Sequence, residues 1–130
     1  GAQNTEEGWQ YSLDHGIRVI FMDEVEAMGI PAVIAEARRI AGTGPAYLSF
    51  DVDAIDPAFT PGTGTPEVGG LTSREALQLV RGLRGLDLVG ADVVEVSPPY
   101  DVSGNTALVG ATLMYEQLCL LAENLQADRA

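Results

Sequence analysis

The sequence predicts an α/β fold in which strands and helices alternate and the strands pair in parallel. Two β-prone runs, residues 46–53 and 88–96, have the nearly continuous apolar character of strands that are buried on both faces. Segments with apolar residues at helical spacing lie between and after these runs. This alternation is typical of βαβ units. Three strand-like runs make only a small sheet, so we expect the chain to form part of one domain.

Before residue 46 the chain contains one short predicted strand and one predicted helix. Residues 1–9 are polar and unpatterned, which is typical of an exposed loop. Residues 17–21 form a short strand-like run. Pro31 fits the first turn of a helix, which residues 42–45, Gly-Thr-Gly-Pro, bring to an end. The apolar face of this helix is Val33, Ile34, Ala37, Ile40 and Ala41.

After residue 53 the chain contains a long loop, a helix, a strand and a final helix. Residues 54–71 hold three prolines and four glycines, and loops of this length are usually functional or disordered. Thr72 and Glu75 have the spacing of a capping box, so a helix begins there and runs to about Arg81. After the strand 88–96, Ser103 or Asn105 is the expected cap of the final helix. Its predicted apolar face is Leu108, Thr112, Tyr115, Cys119, Ala122 and Leu125 or Gln126.

Composition excludes several classes of function. All seven basic residues are arginine, and nineteen acidic residues bring the formal net charge to −12. This charge argues against nucleic acid as a partner and favours cations, either metal ions or amine-bearing ligands. No apolar run approaches the ~20 residues of a membrane helix, and no secretory leader is recognisable. The single cysteine, Cys119, excludes an internal disulfide, and we expect a soluble cytoplasmic domain.

Acidic residues gather where the two buried strands end. Asp51 and Asp53 close the first of these strands, and Glu95 lies near the end of the second. Ligands of open parallel sheets bind beyond the carboxyl ends of the strands. Residues i and i+2 of a strand face the same side about 6–7 Å apart, so the two aspartates can converge on one cation or on a pair of cations. The alternative is that they only cap the following loop through Asx turns.

Two familiar Asp-x-Asp motifs do not fit the residues around Asp51. A calcium EF-hand needs glycine at its sixth position and glutamate at its twelfth, whereas these positions hold Asp56 and Gly62. A haloacid-dehalogenase-like phosphatase needs a later lysine, and the chain contains none. A dinuclear hydrolase is the third possibility.

The loop after the aspartates favours that third possibility. Residues 49–57, Ser-Phe-Asp-Val-Asp-Ala-Ile-Asp-Pro, and residues 61–72, Pro-Gly-Thr-Gly-Thr-Pro-Glu-Val-Gly-Gly-Leu-Thr, closely resemble the ureohydrolase family of arginases, agmatinases and guanidinobutyrases. Residues 95–101, Glu-Val-Ser-Pro-Pro-Tyr-Asp, are similar to the segment that carries the family's substrate-binding glutamate. Glu67 and the segment 97–101 resemble agmatinases and guanidinobutyrases more than arginases.

The resemblance implies a fold, a cofactor and a reaction. Residues 1–130 would be the C-terminal part of a single ureohydrolase domain, a three-layer α/β/α arginase-like fold with a parallel sheet. Asp51 and Asp53 would bind two Mn²⁺ ions, with Asp51 bridging both, and Glu95 would contact the guanidinium group of the substrate. Metal-bound hydroxide would attack the guanidinium carbon and release urea and an amine. Agmatine or 4-guanidinobutanoate is the first-choice substrate, and the complete enzyme would be a homotrimer or homohexamer.

Several ligands of the family's metal centre have no counterpart in the sequence. The family uses two histidines and four aspartates, and its Gly-Gly-Asp-His and Asp-Ala-His-x-Asp segments are absent. His15, the only histidine, lies outside the ligand motifs. We therefore expect the chain by itself to be inactive. The alternative function is a non-catalytic α/β fragment, a structural or interaction module with relic metal ligands.

Overall fold

The computed structural model describes residues 5–127, which form five α-helices, two short 3₁₀ helices and a two-stranded sheet. In chain order the α-helices and strands are α1 (Glu6–Asp14), α2 (Met22–Met28), α3 (Ile30–Ala41), β1 (Ala46–Asp51), α4 (Ser73–Gly82), β2 (Leu88–Val94) and α5 (Asn105–Ala127). The 3₁₀ helices, Val52–Ala54 and Pro98–Tyr100, follow β1 and β2 closely.

The two strands are parallel, as the sequence predicts. Ala46 lies opposite Leu88 and Asp51 lies opposite Val94, with one irregularity in register near Tyr47. The crossover between the strands contains the long loop and α4. Since the strands run in the same direction, their carboxyl ends, which carry Asp51 and the residues just before Glu95, lie at one edge of the sheet.

The helices cover one face of this sheet. Phe50 and Leu88 point into a core that also contains Val80 of α4 and Leu113 of α5. On the other face, Tyr47 is 61% exposed, and its hydroxyl donates to the Asp92 carboxylate at 2.8 Å. Residues 5–127 therefore form two layers, and the third layer of an α/β/α sandwich is not built from them.

Two predictions for the start of the chain are wrong. Residues 17–21 are irregular and pair with neither strand, because an apolar run becomes a strand only where a neighbouring backbone offers hydrogen bonds. The predicted loop 1–9 is partly helical: α1 begins at Glu6, and Thr5 Oγ1 accepts the amide of Gly8 at 3.2 Å. Residues 1–4 lie outside the described part of the chain.

The starts of α3 and α4 agree with their sequence signals, although Ile40 and Ala41 of the predicted apolar face of α3 are exposed. Pro31 lies in the first turn of α3, where a missing amide hydrogen costs nothing. Thr72 and Glu75 form both hydrogen bonds of the predicted capping box. None of the helices within residues 5–127 combines the length and apolarity that crossing a membrane requires.

The predicted apolar face of α5 is wrong. Leu108, Tyr115 and Leu125 are 66%, 66% and 62% exposed. The buried residues recur at the same helical spacing on another side: Thr106, Gly110, Leu113, Gln117 and Leu120. The helix is apolar on both sides, so periodicity alone could not choose between them. The polar side chain of Gln117 is tolerated in the core because its amide nitrogen donates to the backbone oxygen of Asp92 at 2.9 Å.

The expected cap of α5 is also different from the residue that the structure uses. Neither Ser103 nor Asn105 accepts the first amides of the helix. Instead, the carboxylate of Asp101 accepts from Thr106 N at 3.0 Å and from Ala107 N at 2.8 Å. The 3₁₀ turn before Asp101 folds this side chain back over the end of α5, which a spacing rule for N-caps does not capture.

Candidate active site

Asp51 and Asp53 lie at the carboxyl end of β1, but only Asp51 belongs to the strand. Asp53 is in the 3₁₀ turn that follows, so the strand spacing of residues i and i+2 does not describe the pair. Asp51 Oδ1 accepts the amide of Asp53 at 2.8 Å. This is the Asx-type contact that the alternative interpretation expects. It leaves the second oxygen of Asp51, and further lone pairs, available to another partner.

Two threonines hold the carboxylate of Asp53. Thr63 Oγ1 contacts one carboxylate oxygen and Thr65 Oγ1 contacts the other. Thr63 is only 4% exposed, whereas Thr65 is exposed. Neither threonine is among the site residues that the sequence pattern predicts. The available signal was their position in the glycine-containing Gly-Thr-Gly-Thr segment, residues 62–65.

Glu95 follows β2 directly, and its side chain is exposed. Its backbone is in the left-handed region with a φ of 69°, the only positive φ of a non-glycine residue within residues 5–127. The carbonyl oxygen of Glu95 lies 2.8 Å from Thr63 Oγ1, the same oxygen that contacts Asp53. The structure therefore brings Asp53 and Glu95 together around one hydroxyl group.

The loop after the aspartates is closed by Asp56. Its two carboxylate oxygens accept from Ala58 N at 2.8 Å and from Gly69 N at 2.7 Å. These two backbone hydrogen bonds hold the pKa of Asp56 below its usual value. Ile55 and Leu71 form a parallel bridge beside these two hydrogen bonds. The ends of this long loop are thus joined, so the loop is an ordered part of the site.

The middle of the loop is bound to the segment that follows β2. Ser97 N donates to Gly62 O at 2.8 Å, and Gly62 N donates to Thr106 Oγ1 at 2.8 Å. A Cβ atom on Gly62 would lie 2.3 Å from the Cβ of Asp101. Only glycine therefore lets the loop approach closely enough to place Thr63 against both Asp53 and Glu95.

The charges of the site are not balanced by arginine. Within residues 5–127 the ion pairs join arginines to glutamates of α2, α3 and α5, and none of them includes Asp51, Asp53 or Glu95. The mouth of the site is therefore an acidic surface on a chain of formal charge −12. Such a surface attracts cations.

The donor atoms fit Mn²⁺ in type but not in number. Carboxylate oxygens suit Mn²⁺, and the two aspartates lie at one edge of the sheet. However, no three His, Cys, Asp or Glu side chains of the described residues come together as a metal site. His15 is at the end of α1, where its Nδ1 lies 2.8 Å from Tyr11 O and its ring stacks on Tyr11. A complete metal centre needs ligands from outside the described residues.

A sequence profile of the arginase family matches residues 1–119 of the chain. The chain belongs to the arginase family. A guanidinopropionase from Pseudomonas aeruginosa is 69% identical over 114 residues, which cover 88% of this chain and 36% of that protein. A guanidinobutyrase from the same organism is 54% identical over 117 residues, covering 90% of this chain and 37% of that protein.

Solved structures of arginase-family proteins share the fold. A proclavaminate amidino hydrolase from Streptomyces clavuligerus superposes with a TM-score of 0.89 at 41% identity. The match covers 95% of this chain and 41% of that chain. An arginase from Bacillus subtilis superposes with a TM-score of 0.83 at 30% identity, covering 91% of this chain and 45% of the other. This arginase-family chain thus spans less than half the length of each of these relatives.

Proposed function

We propose that this chain is the C-terminal part of a manganese-dependent amidinohydrolase, which cleaves a guanidino compound into urea and an amine. The observation that carries the proposal is the meeting of Asp53 and Glu95 at the buried hydroxyl of Thr63. A ligand for a cation and a ligand for a guanidinium group would then lie at one mouth. The names of the guanidinopropionase and the guanidinobutyrase support the same chemistry.

Asp51 and Asp53 would hold the metal through carboxylate oxygens, together with ligands from the rest of the enzyme. When bound, the metal pair supplies a water molecule acidic enough to react near neutral pH. Thr63 and Thr65 keep the Asp53 carboxylate in one orientation, because each hydroxyl contacts a different oxygen. The hydrogen bonds that the Asp56 carboxylate accepts from Ala58 N and Gly69 N keep the loop that carries both threonines in place.

Glu95 would orient the substrate. A carboxylate and a planar guanidinium group form short charge-assisted hydrogen bonds, often two in parallel. The exposed side chain of Glu95 is available for this contact. The names of the two Pseudomonas relatives support a guanidino acid with a short tail, such as 3-guanidinopropionate or 4-guanidinobutanoate, as the substrate class. Agmatine is the third candidate, and trimeric or hexameric assembly and a cytoplasmic location stay predictions.

A chimera tests this proposal. Residues 1–119, the part that matches the family, would replace the corresponding segment of the Pseudomonas guanidinopropionase, which is 69% identical. We expect the chimera to bind Mn²⁺ and to release urea from at least one of the three substrates. Urea release by the unmodified relative, measured under the same conditions, is the reference.

Two substitutions in the chimera separate the proposed roles. Asp53→Asn should lower both Mn²⁺ affinity and urea release by more than about 10- to 100-fold, because a charged ligand becomes neutral and the loss of a mere outer-shell partner already costs that much. Glu95→Gln should leave bound Mn²⁺ unchanged and lower kcat/KM by about 100-fold or more, because the cationic guanidinium group of the substrate loses its charged partner. A folded chimera that binds no metal and releases no urea would instead favour the non-catalytic module.

A further inference from the structure

The hydroxyl group of Thr63 lies between the two halves of the candidate site. Its oxygen contacts a carboxylate oxygen of Asp53 and is 2.8 Å from the carbonyl oxygen of Glu95. The side chain is 4% exposed, so water has little access to this hydroxyl. Thr65 differs, because its exposed hydroxyl contacts Asp53 and not Glu95. Thr63 therefore has a connection that its neighbour lacks.

The two acceptors compete for one proton. A threonine hydroxyl carries a single hydrogen and can donate it to only one oxygen at a time. A carboxylate is the stronger acceptor because it is charged, so Asp53 takes the proton when it binds no cation. A cation on Asp53 offsets that charge and occupies carboxylate lone pairs. The proton of Thr63 is then available to the carbonyl of Glu95.

A hydrogen bond from Thr63 to the carbonyl of Glu95 would act on an unusual stretch of backbone. The φ of 69° at Glu95 is a conformation that side-chain-bearing residues rarely adopt, so surrounding contacts must hold it. Ser97 N donates to Gly62 O at 2.8 Å next to the Thr63 contact. A proton donated by Thr63 to the Glu95 carbonyl adds a second hydrogen bond between the same two segments.

We propose that Thr63 is a positioning residue that couples cation binding at Asp53 to the backbone of Glu95. A bound cation would strengthen the Thr63–Glu95 hydrogen bond and fix the glutamate before the substrate arrives. This inference rests on the proposed function, because it assigns the cation to Asp53 and the guanidinium group to Glu95.

NMR of the backbone amides of the 130-residue chain tests the coupling, with Mg²⁺ as a diamagnetic cation that prefers oxygen ligands. At millimolar Mg²⁺ we expect chemical shift changes at residues 51–53 and also at residues 95–96. Thr63→Val keeps the shape of the side chain and removes the hydroxyl. It should abolish the response at 95–96, retain that at 51–53, and raise amide exchange of Ser97 about five- to tenfold, as expected for one lost hydrogen bond.

Two further variants separate coupling from a merely structural role. Thr63→Ser retains the hydroxyl and should restore both the response at 95–96 and slow exchange at Ser97. Thr65→Val removes the other contact to Asp53 and should keep the response at 95–96. If Thr63→Val does not fold, Thr63→Ala replaces it and is judged by the same two signals.

The possible outcomes distinguish this inference from the proposed function. A wild-type response at 51–53 without one at 95–96, or a Thr63→Val variant that responds like wild type, overturns the coupling alone. No response at 51–53 also overturns the coupling, because Asp53 then binds no cation in this chain. It leaves the proposed function to the chimera, whose metal centre takes further ligands from outside the described residues.

Discussion

Two residues at the mouth of the site occupy positions that few other residue types could take. Glu95 has a positive φ although it carries a side chain, and such outliers cluster at functional sites. Gly62 is required for a different reason, since its φ is not positive. The backbone of Asp101 occupies the space of a side chain, with its Cα 2.7 Å from the position of an added Cβ.

We expect Gly62→Ala to destabilise the chain. The added methyl group would overlap the Cα and Cβ of Asp101, so the loop and the segment after β2 must separate. Overpacking of this kind costs about 1–3 kcal/mol. Urea unfolding followed by circular dichroism measures the loss. Gly64→Ala is the matched control, because nothing lies within 4 Å of its added Cβ, and it should change the unfolding free energy by less than about 0.5 kcal/mol. Equal stability of the two variants would contradict the close approach.

Asp101 ties the site to α5, and its charge makes this connection sensitive to pH. The hydrogen bond from Ala107 N, followed by that from Thr106 N, holds the pKa of Asp101 below its ordinary value of 3.8. A carboxyl group with a lowered pKa in the folded state stabilises the fold above its ordinary pKa. That stabilisation is lost as the pH falls through the lowered value.

The corresponding prediction concerns Asp101→Asn. At pH 7 the variant should melt several degrees below wild type, because a neutral amide has one acceptor oxygen for two backbone donors. The difference in Tm should stay constant from about pH 5 to pH 8 and shrink below about pH 4, where the wild-type carboxyl takes up a proton. Comparing the two curves cancels the titration of Asp56 and Asp92, whose pKa values are also lowered. A gap in Tm that persists at pH 2 would contradict the role of the charge.

Among the helices, α5 has apolar residues on two sides, and only one of these sides is buried. Leu113 is fully buried, whereas Leu118, one and a half turns later, is 57% exposed. We expect Leu113→Ala to cost about 2–5 kcal/mol through lost burial and a cavity. Leu118→Ala makes the same chemical change on the exposed side and should stay within about 0.5 kcal/mol of wild type. Equal losses, measured by urea unfolding, would mean that α5 is buried on both sides in solution.

The described residues leave two surfaces uncovered. One face of the sheet carries Tyr47 and Ser49, which both donate to Asp92, and no described helix covers it. The outer side of α5 is apolar over several turns. Parallel sheets normally have both faces covered. The matched relatives are more than twice as long as the matched segment, so their remaining residues are sufficient to form such a layer.

We predict that the 130-residue chain alone does not hydrolyse guanidino compounds, even with excess Mn²⁺. A competent site holds its groups within about 0.5 Å of the productive geometry. The described residues offer two neighbouring aspartates and no third metal ligand. The assay is urea release from 3-guanidinopropionate, 4-guanidinobutanoate or agmatine, run beside the Asp51→Ala chain. Activity well above that control would contradict the prediction and show that two aspartates suffice.

Local signals were enough to predict several features of the molecule. The parallel pairing of the two strands, the capping box of Thr72 and Glu75, and the membership of the ureohydrolase family, also called the arginase family, are confirmed. The sequence signal for each of these features lies within one short segment or a few short segments. The edge at which Asp51 and Glu95 lie follows from the same pattern, since parallel strands end on one side.

Other features depend on residues that are distant in the sequence. Residues 17–21 have the composition of a strand and lack a partner strand, and α5 has two apolar sides of which the sheet covers one. Thr63 meets Asp53 and Glu95 only because Gly62 packs against Asp101, about forty positions away. Pairing and packing are set by which surfaces meet in three dimensions, and a local pattern of residue types does not record those encounters.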